Sequence, residues 1–88
     1  MAWTVEISDV AERQLRKLDR QIQIRILDWL DDRLEGCKNP RHFGESLKGN
    51  YTGFWRYRIG NYRVLCDIQD EKVVVLVLTI GRRKQVYR

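Results

Sequence analysis

Three arginines lie close together around a predicted turn in the second half of the chain. Arg56 and Arg58 precede a Gly60-Asn61 pair, and Arg63 follows it. Gly-Asn between two segments rich in aromatic and β-branched residues predicts a two-residue hairpin turn, which places Arg58 opposite Arg63. Because side chains two residues apart on a strand share a face, all three guanidinium groups are expected to converge. Such a cluster is suited to binding phosphate.

The predicted pairing of Arg58 with Arg63 is unfavourable for the hairpin by itself. Like charges directly opposite each other destabilise a sheet. An anion lying between the two side chains removes that repulsion, and this is the functional interpretation. Two structural alternatives remain open at this point: the side chains splay into water, or Asp67 or another acid neutralises them.

The last eight residues, 81–88, add further cations and an aromatic ring. Arg82 and Arg83 come directly after a long apolar segment, and Tyr87 lies near the end of the chain. A tyrosine offers a stacking face for a base or a hydroxyl for proton transfer. The alternative is a ring that packs over the edge of the sheet, and the spacing does not decide between these roles.

The net charge of +5 is unevenly distributed along the chain. Residues 1–44 contain eight basic and eight acidic residues, whereas residues 45–88 contain nine basic and four acidic ones. Residues 54–66 and 79–88 contain no acid and are interleaved with aromatic residues. This clustering favours nucleic acid as the partner over an ordinary solvated surface.

Length and composition exclude several classes of protein. A chain of 88 residues with 43% apolar and 33% charged residues is expected to form one domain over residues 1–88. Its longest apolar segment, Val73–Ile80, is shorter than the roughly 18 residues of a membrane-spanning helix. No secretory signal is visible, so we expect a cytoplasmic protein with free thiols at Cys37 and Cys66. One histidine and two cysteines favour neither a metal site nor a cofactor.

Two helices are predicted between an N-terminal strand and the hairpin. Ser8 or Asp9 can cap the first helix, because their side-chain oxygens accept amide protons of its first turn. The strand is indicated by alternating apolar residues, Trp3, Val5 and Ile7. The first helix has apolar residues at Val10, Ala11, Leu15 and Leu18.

The second helix is predicted from Asp19 to Gly36. One side of it carries Ile22, Ile26, Trp29, Leu30, Arg33 and Leu34, with Ile24 and Leu27 widening the apolar stripe. Its acids are expected to face water and to balance Arg25 and Arg33. Those acids are Asp28, Asp31, Asp32 and Glu35.

An ordered loop over Cys37–Gly53 then leads to three strands, because turn-forming residues are dense in that segment. The strands are predicted at Phe54–Ile59, Tyr62–Ile68 and Lys72–Ile80. The third is apolar without alternation, which indicates an interior strand. The predicted fold is α+β: an N-terminal strand, a two-helix hairpin and a three-stranded antiparallel meander, forming one mainly antiparallel sheet with the helices packed on it.

The sequence resembles the RelE group of the RelE/ParE superfamily, which are bacterial toxins of toxin–antitoxin pairs. The resemblance covers nearly the whole chain and includes the order of the elements. It is carried by Leu47-Lys48-Gly49, by residues 57–64 (YRIGNYRV), by Val73–Ile80 and by residues 81–87 (GRRKQVY). The closing Gly-x-Arg-x-x-Val-Tyr is typical of the RNA-cleaving RelE branch.

The resemblance implies a ribosome-dependent endoribonuclease. Such toxins cut mRNA in the ribosomal A site without a metal, by attack of a 2′-hydroxyl on its neighbouring phosphate. The implied catalytic residues are Arg56, Arg58, Arg63, Arg83 and Tyr87, and the implied RNA- or ribosome-binding residues are Lys48, Arg82, Lys84 and Arg88. The implied partners are a RelB-like antitoxin, the 70S ribosome with its mRNA, and operator DNA only through the antitoxin complex.

The chain departs from its relatives in ways that affect the proton transfers. Relatives often have lysines at the positions of Arg56 and Arg58, and many have a histidine at the position of Arg82. The single histidine, His42, lies in the predicted loop and is expected at the surface. Arginine is a poor proton carrier at neutral pH, so Tyr87 is the candidate general base if neighbouring arginines lower its pKa.

Two other functions remain open on the sequence alone. The first is a ParE-like toxin that inhibits DNA gyrase and does not cut RNA. The second is a non-catalytic domain that binds nucleic acid or an antitoxin. The combination of Arg83 with Tyr87 favours RNA cleavage over both.

Overall fold

A strand, two helices and four further strands follow one another in residues 2–82, the part of the chain that the computed structural model describes. The helices and strands are β1 (Thr4–Ile7), α1 (Asp9–Arg16), α2 (Arg20–Trp29), β2 (Glu45–Ser46), β3 (Trp55–Ile59), β4 (Tyr62–Gln69) and β5 (Val74–Arg82). The α+β prediction is confirmed. One strand was missed, because β2 has two residues and lies in the segment predicted as a loop. Such a short strand has no detectable alternation.

The five strands form one mixed sheet in the order β1-β5-β4-β3-β2. β1 is parallel to β5, and the other pairs are antiparallel. The apolar β5 lies inside the sheet between β1 and β4, as predicted. It continues to Arg82, beyond its predicted end at Ile80, because Arg63 and Tyr62 at the start of β4 pair with Gly81 and Arg82.

Both helices pack on one face of the sheet. The Ser8 hydroxyl caps α1 by accepting a hydrogen bond from the Ala11 amide at 3.1 Å, which confirms the predicted cap. The buried residues of the helical layer are Ala11, Leu15, Ile26, Leu30 and Leu34, and they belong to one core cluster with Tyr57, Val64, Val75 and Val77 of the sheet. The opposite face of the sheet is left without helices, and we call it the open face.

Three apolar residues that the helical pattern placed in the core are instead exposed. Val10 is 50% exposed, Ile24 48% and Leu27 41%. Successive helical residues are about 100° apart, so the buried positions Ala11 and Ile26 turn these neighbours toward solvent. The prediction that Ile24 and Leu27 widen the buried stripe is therefore wrong.

The second helix also changes its geometry before its predicted end. α2 ends at Trp29, and a π-helical turn follows over Leu30–Leu34. The Glu35 amide donates to the Leu30 carbonyl at 3.0 Å, which closes this wider turn. Both leucines at its ends are buried. The wider turn therefore keeps the apolar side of the helix on the core up to Gly36.

The loop before β2 is fixed to the sheet at three points. Arg41 donates to both carboxylate oxygens of Asp70 at 3.0 and 2.6 Å. The Tyr57 hydroxyl donates to the Pro40 carbonyl at 2.7 Å, and burial raises the pKa of this hydroxyl, which keeps it protonated. A Cβ on Gly44 would lie 2.8 Å from the Tyr57 ring, so only glycine fits there. These contacts place the next residue, Glu45, beside β3.

The turn between β4 and β5 contains a strained residue. Val73 has a φ of 56°, in the left-handed region that β-branched residues avoid. Its carbonyl accepts the Thr4 amide at 3.1 Å, so this turn also holds the start of β1. The left-handed conformation costs a residue with a Cβ about 1–2 kcal/mol.

We predict that Val73→Gly is more stable than Val73→Ala by about 1 kcal/mol, because both lose the valine packing and only glycine relieves the strain. At ordinary sites in helices and strands, glycine is less stable than alanine by about 0.5–1 kcal/mol. Urea unfolding of the two variants measures the difference. An alanine variant at least as stable as the glycine variant would contradict the strained conformation.

The ion pair between Arg41 and Asp70 predicts a pH dependence of stability. The hydrogen bonds from Arg41 lower the pKa of the Asp70 carboxyl. The stabilisation is therefore complete above about pH 4, the ordinary aspartate pKa, and is lost as the pH falls through the lowered value. Asp70→Asn should be less stable than the parent near neutral pH, and this difference should shrink in acid. Glu71→Gln, at an exposed neighbour, is the matched control, and an unchanging difference for Asp70→Asn would refute the linkage.

Candidate active site on the open face of the sheet

The β3–β4 hairpin has the predicted register. Arg58 is directly opposite Arg63, and Arg56 is opposite Leu65. Gly60 in the turn has a φ of 59°, which explains the glycine at this position. The strand positions between the arginines, such as Tyr57, face the helices and are buried. All three arginines therefore lie on the open face, and we call Arg56, Arg58 and Arg63 the arginine cluster.

One carboxylate joins two members of the arginine cluster. Glu45 on β2 is paired in register with Arg56. Its Oε2 lies 3.0 Å from Nη2 of Arg56, and its Oε1 lies 3.3 Å from Nε of Arg58. The Arg56 side chain is only 15% exposed, whereas the Arg58 side chain is 56% exposed. The structure thus resolves one alternative left open above: an acid does neutralise part of the cluster, and that acid is Glu45 rather than Asp67.

Sequence reasoning missed Glu45. The residue lies in a segment whose only visible signals are turn formers, and it is 11 residues from Arg56 along the chain. The two residues meet because the chain reverses after β2, where the Leu47 amide donates to the Phe54 carbonyl at 3.1 Å. The adjacent Leu-Lys-Gly motif marked the segment but did not indicate a role for its acid.

Arg63 differs from its two neighbours in its surroundings. Within residues 2–82, no carboxylate lies within 4.0 Å of its guanidinium group. Its partner on β5 is Gly81, which contributes no side chain to that row of the open face. Arg63 is therefore the member of the cluster best suited to bind an external anion.

Arg82 lies at the same end of the sheet as the β3–β4 turn. It is paired with Tyr62, and its Nε lies 3.5 Å from the tyrosine hydroxyl. Its guanidinium carbon lies 5.9 Å from the centre of the Tyr62 ring. This hydrogen bond raises the pKa of Arg82, which therefore remains a cation. This hydrogen bond uses only Nε of a guanidinium group that has five N–H donors.

Besides Arg82, Lys48 is the other predicted site residue outside the cluster that lies within residues 2–82, and no ion pair joins it to the cluster there. Lys48 is exposed and precedes the 3-10 turn Gly49–Tyr51. His42 is exposed, as predicted, and its ring contacts Phe43. The remaining four lie outside the described residues, so their positions stay predictions. These are Arg83, Lys84, Tyr87 and Arg88.

The two thiols do not belong to the arginine cluster. Cys66 is fully buried, and burial raises its pKa, which makes it unreactive. Cys37 is half-buried, and its pKa is also raised by burial. Across residues 2–82, the structure has no group of three or more histidine, cysteine or acidic side chains that could hold a metal ion.

The site thus combines three guanidinium groups with one carboxylate on an open sheet surface. Guanidinium groups bind phosphate oxygens in a bidentate manner and stabilise developing negative charge. A carboxylate can accept a proton. The arrangement is suited to phosphate chemistry on a flexible polyanion.

None of the helices within residues 2–82 is long and apolar enough to cross a membrane.

Comparison with known proteins identifies the family of this chain. The family model described as "ParE toxin of type II toxin-antitoxin system, parDE" matches residues 5–87. Toxin RelG of Mycobacterium tuberculosis is 31% identical over 88 residues, which cover all of this chain and 99% of that protein. The mRNA interferase toxin RelE of Escherichia coli K12 is 29% identical and matches 97% of this chain and 87% of that protein.

Solved structures give the same result at the level of the fold. The toxin–antitoxin complex RelBE2 from Mycobacterium tuberculosis contains a chain that superposes with a TM-score of 0.83 and 28% identity. The match covers 94% of this chain and 93% of that chain. Sequence, fold and element order agree over almost the full length. This chain therefore belongs to the RelE/ParE superfamily, the toxins of type II toxin–antitoxin systems.

Proposed function

We propose that this toxin is a metal-independent endoribonuclease that inhibits translation by cutting mRNA in the ribosomal A site. The observation that carries the proposal is the convergence of Arg56, Arg58 and Arg63 on one open face. A relative named mRNA interferase toxin RelE supports the same reaction class. In the proposed reaction, a ribose 2′-oxygen forms a bond to the adjacent phosphorus and the bond to the 5′-oxygen breaks. The products are a 2′,3′-cyclic phosphate and a 5′-hydroxyl.

The scissile phosphate is proposed to bind between Arg58 and Arg63. These two guanidinium groups lie on directly opposed residues, where they repel each other without an anion. A bound phosphate converts this repulsion into two charge-assisted interactions. Their strength grows as charge develops on the phosphorane, so the pair favours the transition state. Arg83 is proposed to stabilise the leaving 5′-oxygen.

Glu45 is a second candidate for the general base beside Tyr87. Its carboxylate contacts two arginines of the cluster, so a phosphate bound there lies close to it. A carboxylate accepts a proton without the large pKa change that a tyrosine hydroxyl needs. The proton of the attacking 2′-hydroxyl passes to this base, and the leaving oxygen takes up a proton from solvent or from a protein acid.

The ribosome is proposed to align the RNA. The arginine cluster lies on a sheet surface, and Arg58 is more than half exposed, so this part of the protein does not enclose a flexible strand. In-line attack needs the 2′-oxygen, phosphorus and leaving oxygen in one geometry, and alignment of this kind contributes about 7–11 kcal/mol in favourable cases. Naked RNA should therefore be a poor substrate.

The partner proposed to control the toxin is a RelB-like antitoxin. A structure with 28% identity is a complex of a toxin with its antitoxin. A partner that covers the open face would exclude RNA from the arginine cluster. Contact with operator DNA is proposed to occur only through the antitoxin.

Inhibition of DNA gyrase is the second candidate function. It is favoured by the family model, whose description names the ParE toxin. A supercoiling assay with purified gyrase tests it directly. If the protein inhibits gyrase and does not cleave mRNA on ribosomes, gyrase inhibition replaces the ribonuclease proposal. If the protein has neither activity, it is a non-catalytic binding domain.

We predict that Arg63→Ala lowers the rate of mRNA cleavage on ribosomes by about 10²–10³, the usual loss for one preorganised charge donor. Arg13→Ala is the matched control, because it removes the same charge from the exposed side of α1. Mapping of mRNA ends on programmed ribosomes gives the rate, and thermal unfolding shows whether the fold persists. Cleavage by Arg63→Ala at the parental rate would refute the role of the arginine cluster.

A second pair of variants identifies the general base. We expect Glu45→Gln to lose about 10²–10⁴ in single-turnover rate on ribosomes, because glutamine keeps the size and loses the proton acceptor. If Tyr87 is the base instead, Tyr87→Phe is the variant whose single-turnover rate falls at neutral pH. Its deficit should then shrink as the pH rises, since hydroxide replaces the missing base, while stacking is retained.

The same assays test alignment by the ribosome. The rate of the parent protein on free mRNA should be far below its rate on programmed ribosomes. Rapid cutting of free mRNA would refute that part of the mechanism. Parental rates for both Glu45→Gln and Tyr87→Phe would exclude both residues from proton transfer.

A further inference from the structure

The open face is divided into a basic end and an acidic end. Glu6, Leu76 and Asp67 are aligned across β1, β5 and β4, so both acids lie on the open face toward the β4–β5 turn. The Gln69 amide donates to the Asp67 carboxylate at 3.2 Å, which leaves its charge in place. The arginine cluster lies at the opposite end of the sheet, toward the β3–β4 turn.

This division restricts the path of a polyanion beyond the arginine cluster. A strand that continued along the open face would bring its phosphates to Glu6 and Asp67, which repel them. A strand that left sideways over β2 would meet Glu45. One path that continues over cations leads across the turn at Gly60-Asn61 to the side of the sheet that carries the helices.

Arg25 on α2 lies on that path. A Cβ built on Gly60 would be 3.1 Å from Nη1 of Arg25, so the guanidinium group lies against the turn. Arg25 is exposed, and within residues 2–82 no carboxylate lies within 4.0 Å of it. The expectation that acids of the second helix, such as Asp28, balance Arg25 is therefore not met by an ion pair in this part of the chain.

Arg82 lies at the same end of the sheet. It is held over the ring of Tyr62, the first residue after the turn. Asp19, which precedes α2, interacts electrostatically with Arg82, but the two side chains do not form an ion pair within 4.0 Å. Arg25 and Arg82 thus extend the basic surface from the open face, past the turn, to the helical side of the sheet.

We infer that an RNA strand bound at the arginine cluster crosses the β3–β4 turn, and that Arg25, together with Arg82, binds its phosphates on the helical side of the sheet. The inference rests on the proposed function, because it assumes that RNA is the polyanion at the cluster. It adds a second phosphate-binding region, formed from α2 and the end of β5, that lies away from the proposed cleavage point.

Binding of RNA without cleavage tests the inference. The probes are two fluorescent 2′-O-methyl RNAs, which lack the attacking hydroxyl: a dinucleotide and an oligonucleotide long enough to cross the turn. Their affinities are measured by anisotropy over a range of salt concentrations. For the long RNA, Arg25→Gln should bind several-fold more weakly and show a salt slope smaller by about 0.7, the value for one lost phosphate contact with a single strand. Binding of the dinucleotide should not change.

Two control variants complete the experiment. Arg25→Lys keeps the charge and should retain the salt slope of the parent. Arg13→Gln makes the same change in net charge on α1 and should leave binding unchanged. An Arg25→Gln variant that matches Arg13→Gln on the long RNA overturns the inference, and so does a parent protein that does not bind the long RNA at low salt.

The outcome separates this inference from the proposed function. If the parent cleaves mRNA on ribosomes and Arg25→Gln binds RNA as well as the parent does, the ribonuclease proposal stands and the path across the turn is overturned. Reduced RNA binding by Arg25→Gln without any ribosomal cleavage would support the path and refute the ribonuclease. Poly-glutamate, an acidic polypeptide, serves as a third probe. If Arg25→Gln bound poly-glutamate more weakly than the parent but bound the long RNA equally well, Arg25 would be assigned to an acidic protein partner and the inference would be overturned.

Discussion

Arg58 and Arg63 occupy directly opposed positions on neighbouring strands, and their repulsion is a constraint that the rest of the site must accommodate. The hairpin cannot avoid it by changing register, because a shift of one residue would turn the buried Tyr57 and Val64 toward solvent. Glu45 relieves the repulsion in part, by contacting Arg56 and Arg58 on the side of β2. Arg63 keeps its charge uncompensated by any carboxylate of residues 2–82. The open face thus keeps positive charge at the end of the hairpin that carries Arg63.

The position of Glu45 depends on contacts that lie outside the arginine cluster. The ion pair of Arg41 with Asp70 fixes the loop to the distant turn between β4 and β5. The close approach of Gly44 to Tyr57 then sets where β2 begins. The hydrogen bond of Tyr57 to Pro40 couples this loop to the core beneath the arginines. A change at any of these points would alter the support of Glu45 without altering a residue of the arginine cluster.

The sequence was sufficient to predict those elements of the structure whose determining interactions are local. Gly60-Asn61 determines its own turn, and the turn determines that Arg58 meets Arg63. The Ser8 cap and the interior position of β5 were likewise readable from adjacent residues. Glu45 was not readable, because its partners are brought to it by a two-residue strand and a loop held by long-range contacts. Ile24 and Leu27 were misassigned because an apolar side chain does not reveal how wide a stripe the sheet can cover.

The parallel pairing of β1 with β5 has a consequence for the synthesis of this toxin. Thr4 is hydrogen-bonded beside Val74, 70 residues later in the chain, so the first strand synthesised must wait for the last one. Closing a loop of this length costs chain entropy before the pairing stabilises the sheet, and non-local contacts of this kind slow folding. A nascent chain that stops before β5 leaves β1 without its partner and α1 without the strand on which it packs. A chain synthesised only as far as Lys72 therefore cannot form the β1–β5 pair or the β4–β5 pair, and the five-stranded sheet closes only after Val74–Arg82 has left the ribosome.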